Sequence, residues 1–137
     1  MRFIRISQKE LAKLRLLYES VMSHASYGLF YREGETLGRE IVEMASGDSD
    51  AFLETAGRLI KGRGWVEDIS FTDHRVFAQG SIESIPGGSE ATCHRLRGII
   101  HVIMEKHLGK KLLCLEDKCL SLGDTQCEFI LREMEGN

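Results

Sequence analysis

The sequence predicts an α+β fold: a layer of four helices against a small antiparallel sheet of about four strands, in the order ααα-ββ-α-ββ. Three observations carry this. Apolar residues recur at helical spacing from Leu11 to Ile60. The period changes to two at Trp65 and stays there to about Ile82. After one more helical stretch, two runs of strand character flank the turn Gly123-Asp124-Thr125. Helices and hairpins in separate blocks, rather than strict β-α alternation, place helices on one side of an antiparallel sheet. The 137 residues fit one domain, 1–137, and no linker or repeat divides them.

Each element has local cause. Phe3 to Ile6 is a short strand or an ordered arm. Ser7 opens a capping box with Glu10, so a first helix runs from there to about Ser23, with Leu11, Leu14, Leu17, Tyr18, Val21 and Met22 on a buried face. Ala25 to Ala45 is a second helix with Phe30, Leu37, Ile41 and Met44 inward. Gly34 and Gly38 stand four apart on one side of it. Glycine costs a helix about 1 kcal/mol against alanine, so this pair points to close packing of another backbone or to a break near Gly34. Asp48 or Ser49 caps a third helix, with Phe52, Ala56, Leu59 and Ile60 inward. Lys61 to Gly64 ends it. Trp65 to Thr72 and Arg75 to Ile82 form a hairpin. Ser89 or Thr92 caps a fourth helix that carries Cys93, Leu96, Ile99, Ile100, Ile103 and Met104 and stops at Gly109. Lys110 to Asp117 and Gln126 to Arg132 are the last two strands.

Composition excludes several function classes. A formal net charge of −3 is mild, and no basic face footprints nucleic acid. No apolar run approaches a membrane span. The stretch MRFIRISQKE lacks the apolar core of a signal peptide, so a cytoplasmic location is expected. In a reducing compartment cysteines are metal ligands or reactive thiols more often than disulfides. No nucleophile elbow, phosphate loop or dinucleotide fingerprint is present.

The chemistry concentrates in LCLEDKCLSLGDTQCEFIL, residues 113–131. Glu116 and Cys119 stand three apart, and Cys127 follows eight later. A hairpin brings these together, and Cys93 on the fourth helix can supply a fourth ligand. Three thiolates and a carboxylate make a closed tetrahedral set, and soft sulfur favours zinc over magnesium or calcium. Spacing alone leaves other readings open: small buried apolar residues, or a Cys119–Cys127 disulfide. Cys114 shares a strand face with Glu116, and is either core or a replacement ligand. His94 and His101, seven apart on the fourth helix, are either a second metal site or ordinary hydrogen-bonded histidines. An apolar cavity lined by Phe30, Met44, Trp65, Phe71, Phe77, Ile100 and Met104 stands against the alternative that these residues fill the core.

Cys93 at the head of a helix, Glu116-x-x-Cys119, Gly123 and Cys127-Glu128-Phe129 resemble the 4-vinyl-reductase domain family over roughly Ser81 to Glu133. Glu33-Gly34, Leu37-Gly38 and Gly64-Trp65 extend the likeness more loosely. The same domain forms aromatic-effector sensors of bacterial transcriptional activators, and it is similar to transport-particle (TRAPP) subunits that hold an acyl chain. The resemblance implies a structural zinc on Cys93, Glu116, Cys119 and Cys127. It implies a sensor for an apolar or aromatic small molecule, a homodimer through the N-terminal helices, and output through a partner protein. Its other implications are an enzyme or accessory protein in tetrapyrrole vinyl reduction, and a scaffold subunit. In the sensors a ring nitrogen and a histidine anchor the ligand. Trp65 offers an indole N–H here, and no histidine stands on a matching position.

Overall fold

Ser7 starts the first helix, α1 (Gln8–Met22), as the capping box predicts: the Glu10 amide donates to Ser7 Oγ (3.1 Å) and the Ser7 amide to Glu10 Oε1 (2.9 Å). This computed structural model describes residues 1–47 and 49–134. The arm before Ser7 forms neither helix nor strand. The apolar face of α1 departs from expectation. Only Leu11 is buried, while Leu14, Leu17, Val21 and Met22 are exposed, Val21 to 76%. The helix meets the body mainly through its first half and an edge contact of Tyr18 on Phe30 (5.5 Å between ring centres), so nothing among the described residues covers the rest of its stripe.

The second helix, α2 (Ala25–Ala45), runs unbroken through Gly34 and Gly38. Both face the fourth helix, α4 (His94–Leu108). A Cβ on Gly34 would lie 2.7 Å from the carbonyl carbon of Arg95, and one on Gly98 would lie 2.8 Å from the Glu35 amide nitrogen. Three glycines thus let the two backbones touch. Phe30, Ile41 and Ala45 point inward. Leu37 and Met44, expected inside, lie outside; the Met44 thioether instead accepts from Arg63 Nη2 (3.0 Å). The third helix, α3 (Phe52–Gly62), follows a 3₁₀ turn at Ser49–Ala51, and Ala51 is its N-cap without a side-chain bond. The cap expected at Asp48 lies outside the described residues.

Four antiparallel strands, β1 (Asp68–Phe71), β2 (Arg75–Gln79), β3 (Leu112–Lys118) and β4 (Cys127–Glu133), form one sheet in the order β1-β2-β4-β3. The α+β class and the ααα-ββ-α-ββ order are those read from the sequence. The β2 strand ends earlier than expected, at Gln79. Gly80 then takes φ +62°, and residues 81–92 form neither helix nor strand. Val76 pairs with Phe129 and Ala78 with Cys127, all buried against the helices. Phe77 pairs with Ser70 and Glu128 on the opposite face, because alternate residues of a strand point to opposite sides. That face also carries the exposed Leu113 and Leu115.

One row of α4 side chains, spaced by four, reaches β3. Arg97 Nη1 donates to the Cys114 carbonyl (3.3 Å), His101 Nε2 to the Leu112 carbonyl (2.7 Å), and the Leu112 amide to Glu105 Oε2 (2.8 Å). The carbonyl partner requires a proton on Nε2, and Nδ1 pairs with the Tyr31 hydroxyl. His101 is therefore a hydrogen-bonded helix residue, and it does not share a metal site with His94, which stacks on Tyr27 (4.4 Å).

Candidate metal centre

Four elements deliver the donors. Cys93 is the N-cap of α4. Glu116 lies near the end of β3, just before a bulge between Glu116 and Lys118. Cys119 leads a 3₁₀ turn, Leu120–Leu122, closed by Gly123 at φ +90°, where a side chain is strained. Asp124 Oδ2 accepts from the Cys119 amide (3.0 Å) and fixes that turn. Cys127 opens β4. The ligand atoms of Cys93, Glu116, Cys119 and Cys127 all lie within 4.8 Å of one another, and the three cysteines have no exposed surface. Cys93 Sγ is 3.7 Å from Cys127 Sγ and 3.9 Å from Cys119 Sγ. Cys114 is buried in the core and stands outside this group. All four cysteines are free thiols, so the Cys119–Cys127 disulfide does not form.

The protonation pattern follows from the packing. Hydrogen bonds from Cys127 and Cys93 hold the Cys119 thiol far below its ordinary range. The donors shift the other way: sharing with Cys119 and Cys127 raises Cys93, and sharing with Cys119 takes Cys127 up to about 12. Burial, then the Cys119 charge, pushes Glu116 up to about 8. Glu116 Oε1 accepts from the Cys93 amide (3.1 Å), while Oε2 is buried without a hydrogen-bond partner. A cation among the three sulfurs would satisfy this oxygen, because the four donor atoms converge there. These four residues can hold a metal ion.

Cys93 stands at the start of α4, yet its thiol is raised rather than held as a thiolate by the helix dipole. The helix amides turn elsewhere. Ser89 and Thr92, expected as caps, do not cap; Glu83 does, from outside the helix. Its Oε1 accepts from the Leu96 amide (2.8 Å) and its Oε2 from the Arg95 amide (3.3 Å), with Arg95 Nη1 3.5 Å away. Burial still pushes the Glu83 carboxyl up to about 7. Arg95 is itself buried, 4.3 Å above the centre of the Phe30 ring, and its Nη2 stands 3.6 Å from Glu33. Burial takes His94 down to about 4, and neither of its ring nitrogens has a hydrogen-bond partner among the described residues. Sequence reasoning missed Glu83 and Arg95. The one trace of them is an acid set between Ile82 and Ile85 in a loop.

The seven residues expected to line a cavity are not brought together. Phe30, Ile100 and Met104 are core. Trp65 walls a groove of about 640 Å³ between the arm, α1, α2 and the end of α3, together with Ile4, Leu14, Leu37, Arg63 and Arg95. Phe71 lines a separate cleft of about 320 Å³ with Leu53, Gly57 and Ile69. Met44 and Phe77 line neither.

Residues 75–133, which contain all four clustered donors, match the family model of the 4-vinyl-reductase domain. An uncharacterized protein of Methanocaldococcus jannaschii, MJ0150, is 27% identical over 110 residues, 76% of this chain and 63% of the relative. The chain thus spans less than two thirds of that relative's length. The phenol-responsive sensory domain of the transcription activator PoxR, crystallised with phenol, has the same fold, with TM-score 0.82 and 21% identity over 97% of this chain and 77% of that one. A vinyl-4-reductase family protein from Methanocaldococcus jannaschii has it at TM-score 0.68 and 14% identity, over 98% and 85%. The resemblance read from Cys93, Glu116, Cys119 and Cys127 therefore holds: this chain matches the 4-vinyl-reductase domain family over residues 75–133, in a fold shared along nearly its whole length.

Proposed function

We propose that the chain, as one module over 1–137, is a cytoplasmic sensor that binds an apolar or aromatic small molecule and acts through a partner protein. A structural zinc sits on Cys93, Glu116, Cys119 and Cys127. The orphaned Glu116 oxygen among three buried sulfurs carries the metal reading. Zinc fits a sulfur-rich tetrahedral set, and four protein ligands leave no open position for water, so its role is to tie α4 to the β3–β4 hairpin. The shared fold with a phenol-responsive domain supports the sensor reading.

The ligand takes the groove beside Trp65. Its volume, about 640 Å³, lies within the range of small-molecule sites. Trp65 is the only tryptophan, so its emission reports the groove directly. Titration with simple phenols is expected to quench that emission saturably, and native mass spectrometry of protein from its own host is expected to show a co-purifying apolar molecule. An unchanged emission up to millimolar probe, with nothing co-purifying, rejects the groove as a ligand site.

A homodimer explains the open stripe on α1. Leu14, Leu17 and Val21 form a patch that a second copy can cover. Sedimentation of the wild type is expected to give a dimer at micromolar concentration, and Leu17→Glu with Val21→Glu a monomer. A monomeric wild type at tens of micromolar refutes the pairing.

A further inference from the structure

We infer that Ser81, Glu83, Ser84 and Thr92 act as one positioning unit, in which the Ser81 and Ser84 hydroxyls fasten the 81–92 segment to the metal-binding sulfurs, Thr92 ties the end of the segment back to the Glu83 carbonyl, and the Glu83 carboxylate fixes Arg95 at the groove, so that metal occupancy sets the placement of the Arg95 guanidinium. This rests on the metal reading above and adds a consequence to it.

The charge of the centre calls for such donors. Three thiolates and a carboxylate around a divalent ion leave a net charge of −2 among fully buried cysteines. Outer hydrogen bonds are what stabilise ligands in such a site. Ser81 Oγ lies 3.1 Å from Cys93 Sγ. Ser84 Oγ stands 3.9 Å from both Cys93 Sγ and Cys127 Sγ, and Thr92 Oγ1 3.9 Å from Cys119 Sγ. The Leu120 amide donates to Cys127 Sγ at 3.5 Å. The three hydroxyls belong to one segment without helix or strand, and all three residues are buried. The Ser81 and Ser84 hydroxyls can donate to these sulfurs, and an ion that fixes where the sulfurs sit fixes those hydroxyls with them.

The same segment carries the other end of the link. Glu83 lies between Ser81 and Ser84, and Thr92 Oγ1 donates to its backbone carbonyl (2.8 Å). Its carboxylate takes the Arg95 and Leu96 amides, which no side chain of α4 caps. Arg95 lines both the groove and a smaller cavity under α1, and its guanidinium is placed by Glu83 and Glu33. At the segment's start, the Ile82 amide donates to the Trp65 carbonyl (2.9 Å), which puts a fluorescent reporter on the same piece of backbone.

The test uses the full chain with its zinc content measured first. Hydrogen exchange at the Arg95 and Leu96 amides and Trp65 emission are read with zinc bound and after chelation, circular dichroism confirming retained helix. Chelation is expected to speed exchange at both amides about tenfold and to shift the emission. The Ser81→Ala/Ser84→Ala variant keeps all four ligands. It is expected to bind zinc about 10–100-fold more weakly and, saturated with zinc, still to exchange faster than wild type at Arg95 and Leu96. Should chelation unfold the chain, the zinc-saturated variant decides alone. Wild-type exchange rates in that variant overturn the inference, as do amides indifferent to chelation in a folded chain. A chain that takes up no zinc rejects the metal reading and this inference with it, whereas zinc bound without these effects rejects the inference only.

Discussion

Gly98→Ala is expected to lower the melting temperature by about 10 °C. The new methyl would meet the backbone of α2, 2.8 Å from the Glu35 amide nitrogen and 3.0 Å from the Gly34 carbonyl carbon. Backbone in the middle of a helix cannot turn aside as a flexible side chain does, so the two helices must separate along their whole contact. Overpacking of this kind costs about 1–3 kcal/mol and occasionally more; against unyielding backbone, as here, it should cost about 4 kcal/mol. Alanine's better helix propensity returns at most about 1 kcal/mol. A net loss of about 3 kcal/mol corresponds to about 10 °C for a chain of this size. Gly28→Ala is the internal control: it lies on α2 with nothing within 4 Å, and should be neutral or slightly stabilising. Equal melting of the two variants would contradict the backbone contact between α2 and α4.

Cys127→Ser should abolish binding of about one zinc per chain and cost several kcal/mol, because in such sites metal affinity is folding energy. Elemental analysis and thermal melts with and without zinc check both halves. Cys114→Ser is the control. Cys114 is as deeply buried, its thiol held up to about 12 by burial, but it stands outside the donor group and should leave zinc content intact. The sign of the pH dependence follows from the ligands. Cys93, Cys127 and Glu116 all hold their protons above the ordinary range in the free cluster, so zinc must displace them. Apparent affinity should therefore rise from about pH 6 to about pH 8. A Cys127→Ser protein that keeps its zinc and its melting curve would refute the site.

The fold was readable where local chemistry decides. The Ser7–Glu10 box, the bounds of α2 and the final hairpin each follow from residues close in sequence. The candidate metal donors were readable because sulfur and carboxylate at those positions match a family pattern; their clustering depends on α4 packing against a hairpin distant in sequence, with Cys93 and Glu116 23 residues apart. The cavity was not readable. A helical stripe says which residues are apolar, not whether this chain covers them, and α1 shows the difference. Phe77 sits in an unbroken run of strand character, Arg75 to Ala78, so neither face is marked as inner until β4 pairs with β2. Glu83 escaped because a buried acid in a loop leaves no periodic trace, and its partners are backbone amides that almost every residue carries.

The reach of Arg97, His101 and Glu105 across β3 has a consequence for how the protein behaves in a crowded solution. β3 is the margin of the sheet, where bare amides and carbonyls would invite a strand from another molecule. Here the Leu112 amide and carbonyl and the Cys114 carbonyl are already engaged by helix side chains. At the far margin β1 is four residues long, too short to template much. Both margins of the sheet thus discourage one copy of this chain from adding its strands to another.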